Sequence, residues 1–413
     1  MYSDRRPHTG ALEMKECYRP VRTSLVSDKL YCFENTNRFR ATNYLTAKWE
    51  LLENGECVES GELNFNIAPM SAQCIEVNHK DIDETKDAHI NFAWFDGEQK
   101  VAVEQIILND VPYEYDIEIG SRIGVISDAG IVTINFENGE AKFDARTGEL
   151  TDYTVNGTSL LNTVPAEFKG LQPNVFRALI DNDSRHRDTY YKAGLDKIKT
   201  ELNTFDVHVD DGEIKVYADY ILKGKNKALY GATVLYTFSS LGAVEVEANL
   251  RVVGKNAPLT IPRFGVMAEL PADFRNVRYY GRGTAENMPD FKIQSPVGIY
   301  EAKVEDMFEP YVFPQDSGNH GDTKWLEITN ADGKGVKIFA EDRFSFSIHP
   351  FTQNAIQKAK HQEDLCDMNT TVLSLDGWVR GIGSSSCGPD TREEYTKSAA
   401  DGYALKFTII PIA

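Results

Sequence analysis

Residues 131–161, IVTINFENGEAKFDARTGELTDYTVNGTSLL, decide how the chain is read. Short runs alternating apolar and polar residues are broken by turns whose glycines fall at Gly139, Gly148 and Gly157, nine residues apart. A period of two sends alternate side chains to opposite faces of a strand, and glycine accepts the positive φ of a tight hairpin turn. The stretch therefore predicts a meander of four short antiparallel strands. Working outward, TAKWELLENGECVESGELNF (46–65) repeats the device as strand, Asn54-Gly55 turn, strand. Helical signal is scarce. It is clearest in QNAIQKAKHQEDL (353–365), where Ala355, Ile356, Ala359 and Leu365 share one face. A (β/α)₈ barrel needs about 250 residues of alternating strand and helix, and no part of the chain offers them. The fold class predicted is all-β.

The chain has 413 residues, 41% hydrophobic and 11% aromatic, a globular composition long enough for two or three domains. Lys and Arg number 44 against 63 Asp and Glu, a net charge of −19 that repels polyphosphate and acidic membranes. Nucleic acid and membrane are excluded as expected partners, and a neutral ligand such as a sugar fits best. The six cysteines are scattered without a CxxC or zinc-finger spacing, and they read as reduced thiols with no metal site. MYSDRRPHTG at the start lacks the apolar segment of a signal peptide, which gives a cytoplasmic expectation.

Residues 18–110 hold enough alternating runs for a sandwich of the immunoglobulin type. DVPYEYDIEIG (110–120) reads as the passage into a second all-β unit, 111–413, and residues 1–17 as a separate, poorly anchored leading segment.

Four segments hold candidate chemistry. RALIDNDSRHR (177–187) gathers Arg177, Asp181, Asn182, Asp183, Arg185, His186 and Arg187. Such a cluster can orient a polyhydroxyl ligand, and an Asp-Asn-Asp run equally makes a turn by bonding its own backbone. YYGRGTAENMPDFK (279–292) lacks the Lys-Ser/Thr ending of a P-loop. GIGSSSCGP (381–389) has the wrong spacing for a nucleophile elbow and reads as a tight loop. His320, His349 and His361 form no i, i+4 pair and default to surface or core roles.

In this order, these segments resemble the C-terminal part of a bacterial β-galactosidase of glycoside hydrolase family 2. DRRPHTGALEMKECYRPV (4–21) resembles the family's exit from its catalytic barrel, and NVFRALIDND (174–183) its Arg-Ala and Asp-Asn-Asp motif. YYGRGTAENMPDFK resembles its Gly-x-Gly-Pro-x-Glu-Asn segment, with Thr284 at the proline. PYVFPQDSGNHGDTKWL (310–326) and SLDGWVRGIGSSSCGP (374–389) resemble two further segments. The match runs from residue 4 to near the end. It implies an immunoglobulin-like sandwich followed by a large antiparallel super-sandwich of the galactose-mutarotase type.

The resemblance also implies a function. The family's retaining hydrolysis of terminal β-D-galactosides such as lactose uses two glutamates about 5–5.5 Å apart, both on a barrel this sequence does not contain. The chain would then be part of a longer protein, or the small partner of an enzyme encoded in two pieces, inactive alone and able to form a homo-oligomer. No catalytic residue is expected in it. Asp181, Asp183, Arg185, Ser386 and Cys387 are expected at the rim of the substrate pocket, in the loop after Asp183 through Tyr191 and the loop at 386–387. Cys387 stands where some relatives carry Trp. Arg177, Arg282, Glu286, Asn287 and Asp290 are expected to knit a structural polar network. No cofactor is expected here, although complete family members often use Mg and Na bound elsewhere. The alternatives are a stand-alone carbohydrate-binding module and, by fold analogy alone, an aldose epimerase.

Overall fold

A computed structural model describes residues 1–2, 4–117, 120, 122–210 and 212–412. Of the passage 110–120, Glu118 and Ile119 lie outside the described residues. The chain divides into two compact units. The first comprises Met1–Pro112, Tyr280–Ala285 and Phe291–Tyr300, and the second Tyr113–Tyr279, Glu286–Asp290 and Glu301–Ala413.

The first unit opens with helix α1 (Thr9–Cys17) and continues through β1 (Val21–Ser27), β2 (Leu30–Asn35), β3 (Leu45–Glu53), β4 (Glu56–Leu63), β5 (Ala72–Glu76), β6 (Ala88–Asp96) and β7 (Gln99–Asn109). The strands form two antiparallel sheets, ordered β1-β2-β5 and β4-β3-β6-β7. This is an immunoglobulin-like sandwich. Period-two alternation turns Tyr31 and Phe33 of β2, Ala47, Trp49 and Leu51 of β3, and Ile90, Phe92 and Trp94 of β6 into one core. Phe33 meets the edges of Phe92 and Trp94 at ring distances of 5.3 and 5.8 Å, the geometry aromatic quadrupoles prefer.

The β3–β4 turn falls at Asn54-Gly55 as predicted, with φ of +50° and +83°. Gly55 is doubly constrained, because a Cβ there would lie 2.7 Å from Tyr280 Cε2. Gly55→Ala is therefore expected to cost more than the ~1 kcal/mol typical of a mismatched backbone, measured as a drop in urea midpoint with unchanged slope.

Residues 1–17 correct the expectation of a poorly anchored segment. Glu16 accepts a hydrogen bond from Val103 N (2.9 Å), Lys15 Nζ donates to Lys100 O (3.0 Å) and Glu13 accepts from Gln294 N (3.0 Å), which fastens α1 to its own unit. All six cysteines are free, and strand pairing sets Cys32 opposite Cys74.

The second unit begins with the predicted meander, which has five strands: β8 (Ile123–Asp128), β9 (Ile131–Phe136), β10 (Gly139–Asp144), β11 (Glu149–Val155) and β12 (Thr158–Ser159), in sequential order. The added strand precedes the quoted stretch, across a turn at Ala129-Gly130 where both φ are positive. The remaining strands are β13 (Gln172–Asn174), β14 (Lys199–Asp210), β15 (Glu213–Gly224), β16 (Lys227–Phe238), β17 (Val244–Val252), β18 (Arg263–Leu270), β19 (Asn276–Arg282), β20 (Val297–Lys303), β21 (His320–Thr329), β22 (Gly335–His349), β23 (Thr371–Val379) and β24 (Tyr403–Ile412). They form one large sheet whose main path runs β13-β18-β23-β22-β24-β17-β16-β15-β14. β18, second on that path, is buried at every position, with the run Phe264–Ala268 between Arg263 and Glu269.

Helices correct the sequence reading twice. The 353–365 segment is α-helical only over α3 (Gln353–Lys358), because Ala359 turns to extended backbone (ψ 141°), and Gln362–Asp364 forms a separate 3-10 turn. The expected loop after Asp183 is instead helix α2 (Ser184–Ala193), stopped by left-handed Gly194 (φ 82°). Among the described residues no helix is long and apolar enough to cross a membrane.

Candidate functional site

Four segments of the second unit converge: 177–186, 286–290, 311–321 and 380–390. Their meeting is built on charges buried beneath them. The apolar neighbours Val175, Phe176, Ala178, Leu179 and Ile180 pull Arg177 inside with them, fully out of solvent. A lone buried guanidinium would be costly, and Asp183, equally buried, answers it through two bonds: Nε to Oδ2 (3.1 Å) and Nη2 to Oδ1 (2.9 Å). Asp183 Oδ2 also accepts from Ile180 N (3.1 Å). Asp183 thus departs from its expected place at a pocket rim, since its carboxylate is committed to holding the turn closed.

The residues after it reach the 380–390 loop. Asn182 donates to Gly383 O (2.9 Å) and accepts from Ser386 N (3.2 Å). Ser184 Oγ donates to Ser385 O (3.0 Å), and Arg185 Nη2 to Gly388 O (2.9 Å). His186 Nε2 lies 2.9 Å from Asp390 Oδ2, while buried Arg380 donates to Asp390 Oδ1 (2.6 Å). Burial alone would raise the Asp390 pKa. Arg380, His186 and Thr391 N outweigh it and hold the carboxyl well below its usual range.

Asp290 braces the same loop from the other side, accepting from Ile382 N and Gly383 N, both at 2.8 Å. Gly381 is required by this approach, because a Cβ there would stand 2.7 Å from Asp290 Cγ. Glu286 accepts from Gly318 N (2.8 Å) and from the Tyr311 hydroxyl. Asn287 N donates to Asn319 O (2.8 Å), Asn287 O accepts from Asn319 Nδ2 (2.7 Å), and Asn287 Oδ1 accepts from Gly321 N (2.9 Å). Arg282 donates to Ser295 O (3.0 Å) within the first unit. Of the five residues expected to knit a structural polar network, Arg177 holds a turn, Arg282 bonds a loop of its own unit, Glu286 and Asn287 bond the 311–321 segment, and Asp290 bonds the 380–390 loop.

Above these braces stand exposed tips. Asp181, Arg185, Ser386 and Cys387 are solvent-facing, and a turn bond from Cys387 N to Ser384 O (3.0 Å) shapes the last two. Asp181 N donates to Gln315 Oε1 (2.9 Å), so the 311–321 segment borders the same surface. Val312 and Phe313 on it are 74% and 56% exposed. The sequence reading passed over these two, as it did Asp390 and Arg380. An exposed aromatic flanked by proline is the one linear signal that could have marked Phe313.

Beneath lies a second buried set. Arg263 faces Asp316 (3.4 Å) and Asp376 (3.3 Å). One cation between two carboxylates leaves a surplus negative charge. Burial, opposed by Arg263, raises Asp376 to about 6. His349, stacked on Phe351 and met edgewise by Phe308, is pushed down to about 3 by burial and then by Arg263. His320 is buried against Tyr279, whose hydroxyl lies 3.1 Å from its Nδ1. Both histidines take core roles. Among the described residues no group of three or more His, Cys, Asp or Glu is placed to hold a metal ion.

Such an arrangement positions loops: the carboxylates of Asp183, Glu286, Asp290 and Asp390 are held by arginines, a histidine, a tyrosine hydroxyl or backbone N–H groups, and Asp181 faces solvent. The chain is similar to β-galactosidases of Actinobacillus pleuropneumoniae (26% identity), Priestia megaterium (24%) and Streptococcus thermophilus (24%), over 98%, 100% and 100% of its length. It spans about 40% of the length of each. A galactose 1-epimerase from Lactobacillus acidophilus aligns with 72% of this chain and 100% of its own at 7% identity, with a TM-score of 0.38, a likeness too slight to build on. The model of β-galactosidase domain 4 matches residues 32–108, and that of the β-galactosidase small chain matches residues 136–409. With that match covering most of its length, the chain belongs to the β-galactosidase small-chain family.

Proposed function

We propose that this chain is the C-terminal part of a cytoplasmic β-galactosidase, supporting a catalytic barrel and lending loops to the rim of its galactoside pocket. The observation that carries the reading is the small-chain match over 136–409 in a chain spanning about 40% of its β-galactosidase relatives. The geometry supports it. Asp181, Arg185, Ser386 and Cys387 stand exposed on loops fixed by buried braces, with Phe313 offering an apolar face beside them. Chemistry needs two apposed carboxylates, one as acid/base and one as nucleophile, and the barrel supplies both. The chain itself supplies position.

The test is nitrophenyl-galactoside hydrolysis by the chain alone and after mixing with the barrel half. No turnover alone and activity on mixing are expected, and hydrolysis by the isolated chain would overturn the reading. In the mixed enzyme, Asn182→Ala frees Gly383 O and Ser386 N and lets the rim shift. A misplacement of about 1 Å can cost up to about a hundredfold in rate. A fall in kcat/KM of at least about tenfold is expected, with the urea midpoint nearly unchanged.

A further inference from the structure

Two Lys-x-Lys repeats, Lys197 with Lys199 and Lys223 with Lys225, are brought side by side by the fold. β14 and β15 pair antiparallel with Lys199 directly opposite Lys223. Lys197, at the end of a 3-10 turn just ahead of β14, and Lys225, in the turn just past β15, lie at the end of that pair. The four lysines line a cavity of about 410 Å³ with Tyr191 and Asn226. Like charges directly opposite on neighbouring strands destabilise a sheet. Here they occur in a chain whose net charge is −19.

Carboxylates answer only half of the charge. Glu201 pairs with Lys223 at 2.5 Å, and Asp196 lies 3.9 Å from Lys197. Among the described residues no carboxylate pairs with Lys199 or Lys225. The carbonyl end of α2 carries a partial negative charge suited to one cation, which does not account for a further one. The cavity's frame is fixed by close backbone approach: Gly194 sits so near the turn at 225–226 that a Cβ would meet Lys225 N at 3.0 Å. On the wall, Tyr191 accepts a hydrogen bond from Gln357 Nε2 (2.7 Å), which leaves its own hydroxyl proton to donate.

We propose that this cavity binds a small phosphate-bearing anion. A phosphate anion answers the positive charge that Lys199 and Lys225 leave uncompensated. Ammonium groups act on its oxygens as mobile point charges without requiring a planar fork. Cavities of roughly 300–1,000 Å³ are the usual size for small ligands.

Calorimetric titration of the chain with inorganic phosphate and with a hexose 6-phosphate, at ionic strength fixed with sodium chloride, tests this. An uncharged hexose is the control. Both phosphate probes are expected to bind and the hexose to give no heat at this cavity. Tighter binding of the ester would assign the ligand to a sugar phosphate, and equal binding to free phosphate. Lys199→Gln with Lys223→Gln should weaken binding at least tenfold. Without phosphate, Lys199→Gln alone should raise the thermal midpoint by removing the cross-strand repulsion, and saturating phosphate should reverse that order. Absence of phosphate binding, binding unchanged in the double variant, or no rise in midpoint for Lys199→Gln would each overturn the proposal. The exposed Lys225→Gln serves if the double variant does not fold.

Discussion

Between pH 6.5 and about 3 the second unit is expected to lose stability as acid is added, and His349→Phe to remove most of that loss. In the fold, burial and the nearby Arg263 hold the His349 pKa at about 3, against 6.5 for a free imidazole. The unfolded chain therefore takes up this proton across the window and the folded chain does not, so stability falls as pH falls. At about 1.36 kcal/mol per unit, the shift corresponds to an upper bound of about 5 kcal/mol. Asp376 works in the opposite sense. Its pKa is raised by burial from 3.8 to about 6, so the folded state keeps a proton that the unfolded state releases. Its contribution, about 3 kcal/mol by the same conversion, is present below pH 3.8 and lost as pH rises through 6. The histidine shift is the larger, so the net is acid loss. Phe at 349 retains the stacking on Phe351. Asp376→Asn should steepen the acid loss by removing the opposing titration. Urea midpoints at half-unit pH steps read both effects, and a His349→Phe variant as acid-sensitive as the parent would refute the assignment.

Asp183→Ala is the second large effect expected, with a loss of about 3–5 kcal/mol. It leaves a fully buried Arg177 without its carboxylate and Ile180 N without its acceptor. Arg177→Met with Asp183→Leu should recover much of the loss, because neither buried charge then remains. Recovery would separate the cost of an orphaned charge from a requirement for the pair itself. In the mixed enzyme the double variant should still have reduced activity, since Asn182 and Ser184 take their positions from the turn that Asp183 closes.

The hairpin at Asn54-Gly55 and the turns at Gly148 and Gly157 were legible because positive φ is a local demand met by few residue types. Helix α2 was not legible. In SRHRDTYYKA only Tyr190 is buried, so no apolar stripe announces a helix. Bonds from Ser184, Arg185 and His186 to the 380–390 loop hold it instead. Its stop at Gly194 was the one cue available. In the 353–365 segment, spaced apolar residues suggested a longer helix than tertiary packing allows.

The site divides the same way. Motifs in NVFRALIDND and SLDGWVRGIGSSSCGP marked two segments that the fold brings together, but not which of their side chains face solvent. Asp181 and Asp183 are two residues apart and nearly identical in chemistry. One is exposed and the other is sealed against Arg177.

Alternation and turn chemistry act over a few residues, so the sequence by itself determined an all-β chain with these hairpins, and its ordered motifs carried the family. Only the tertiary structure joined His186 to Asp390, Asp290 to the loop at 382–383, and Lys199 to Lys223. Each joining depends on strand register and on charges buried together, whose energies are set by neighbours in space rather than in sequence.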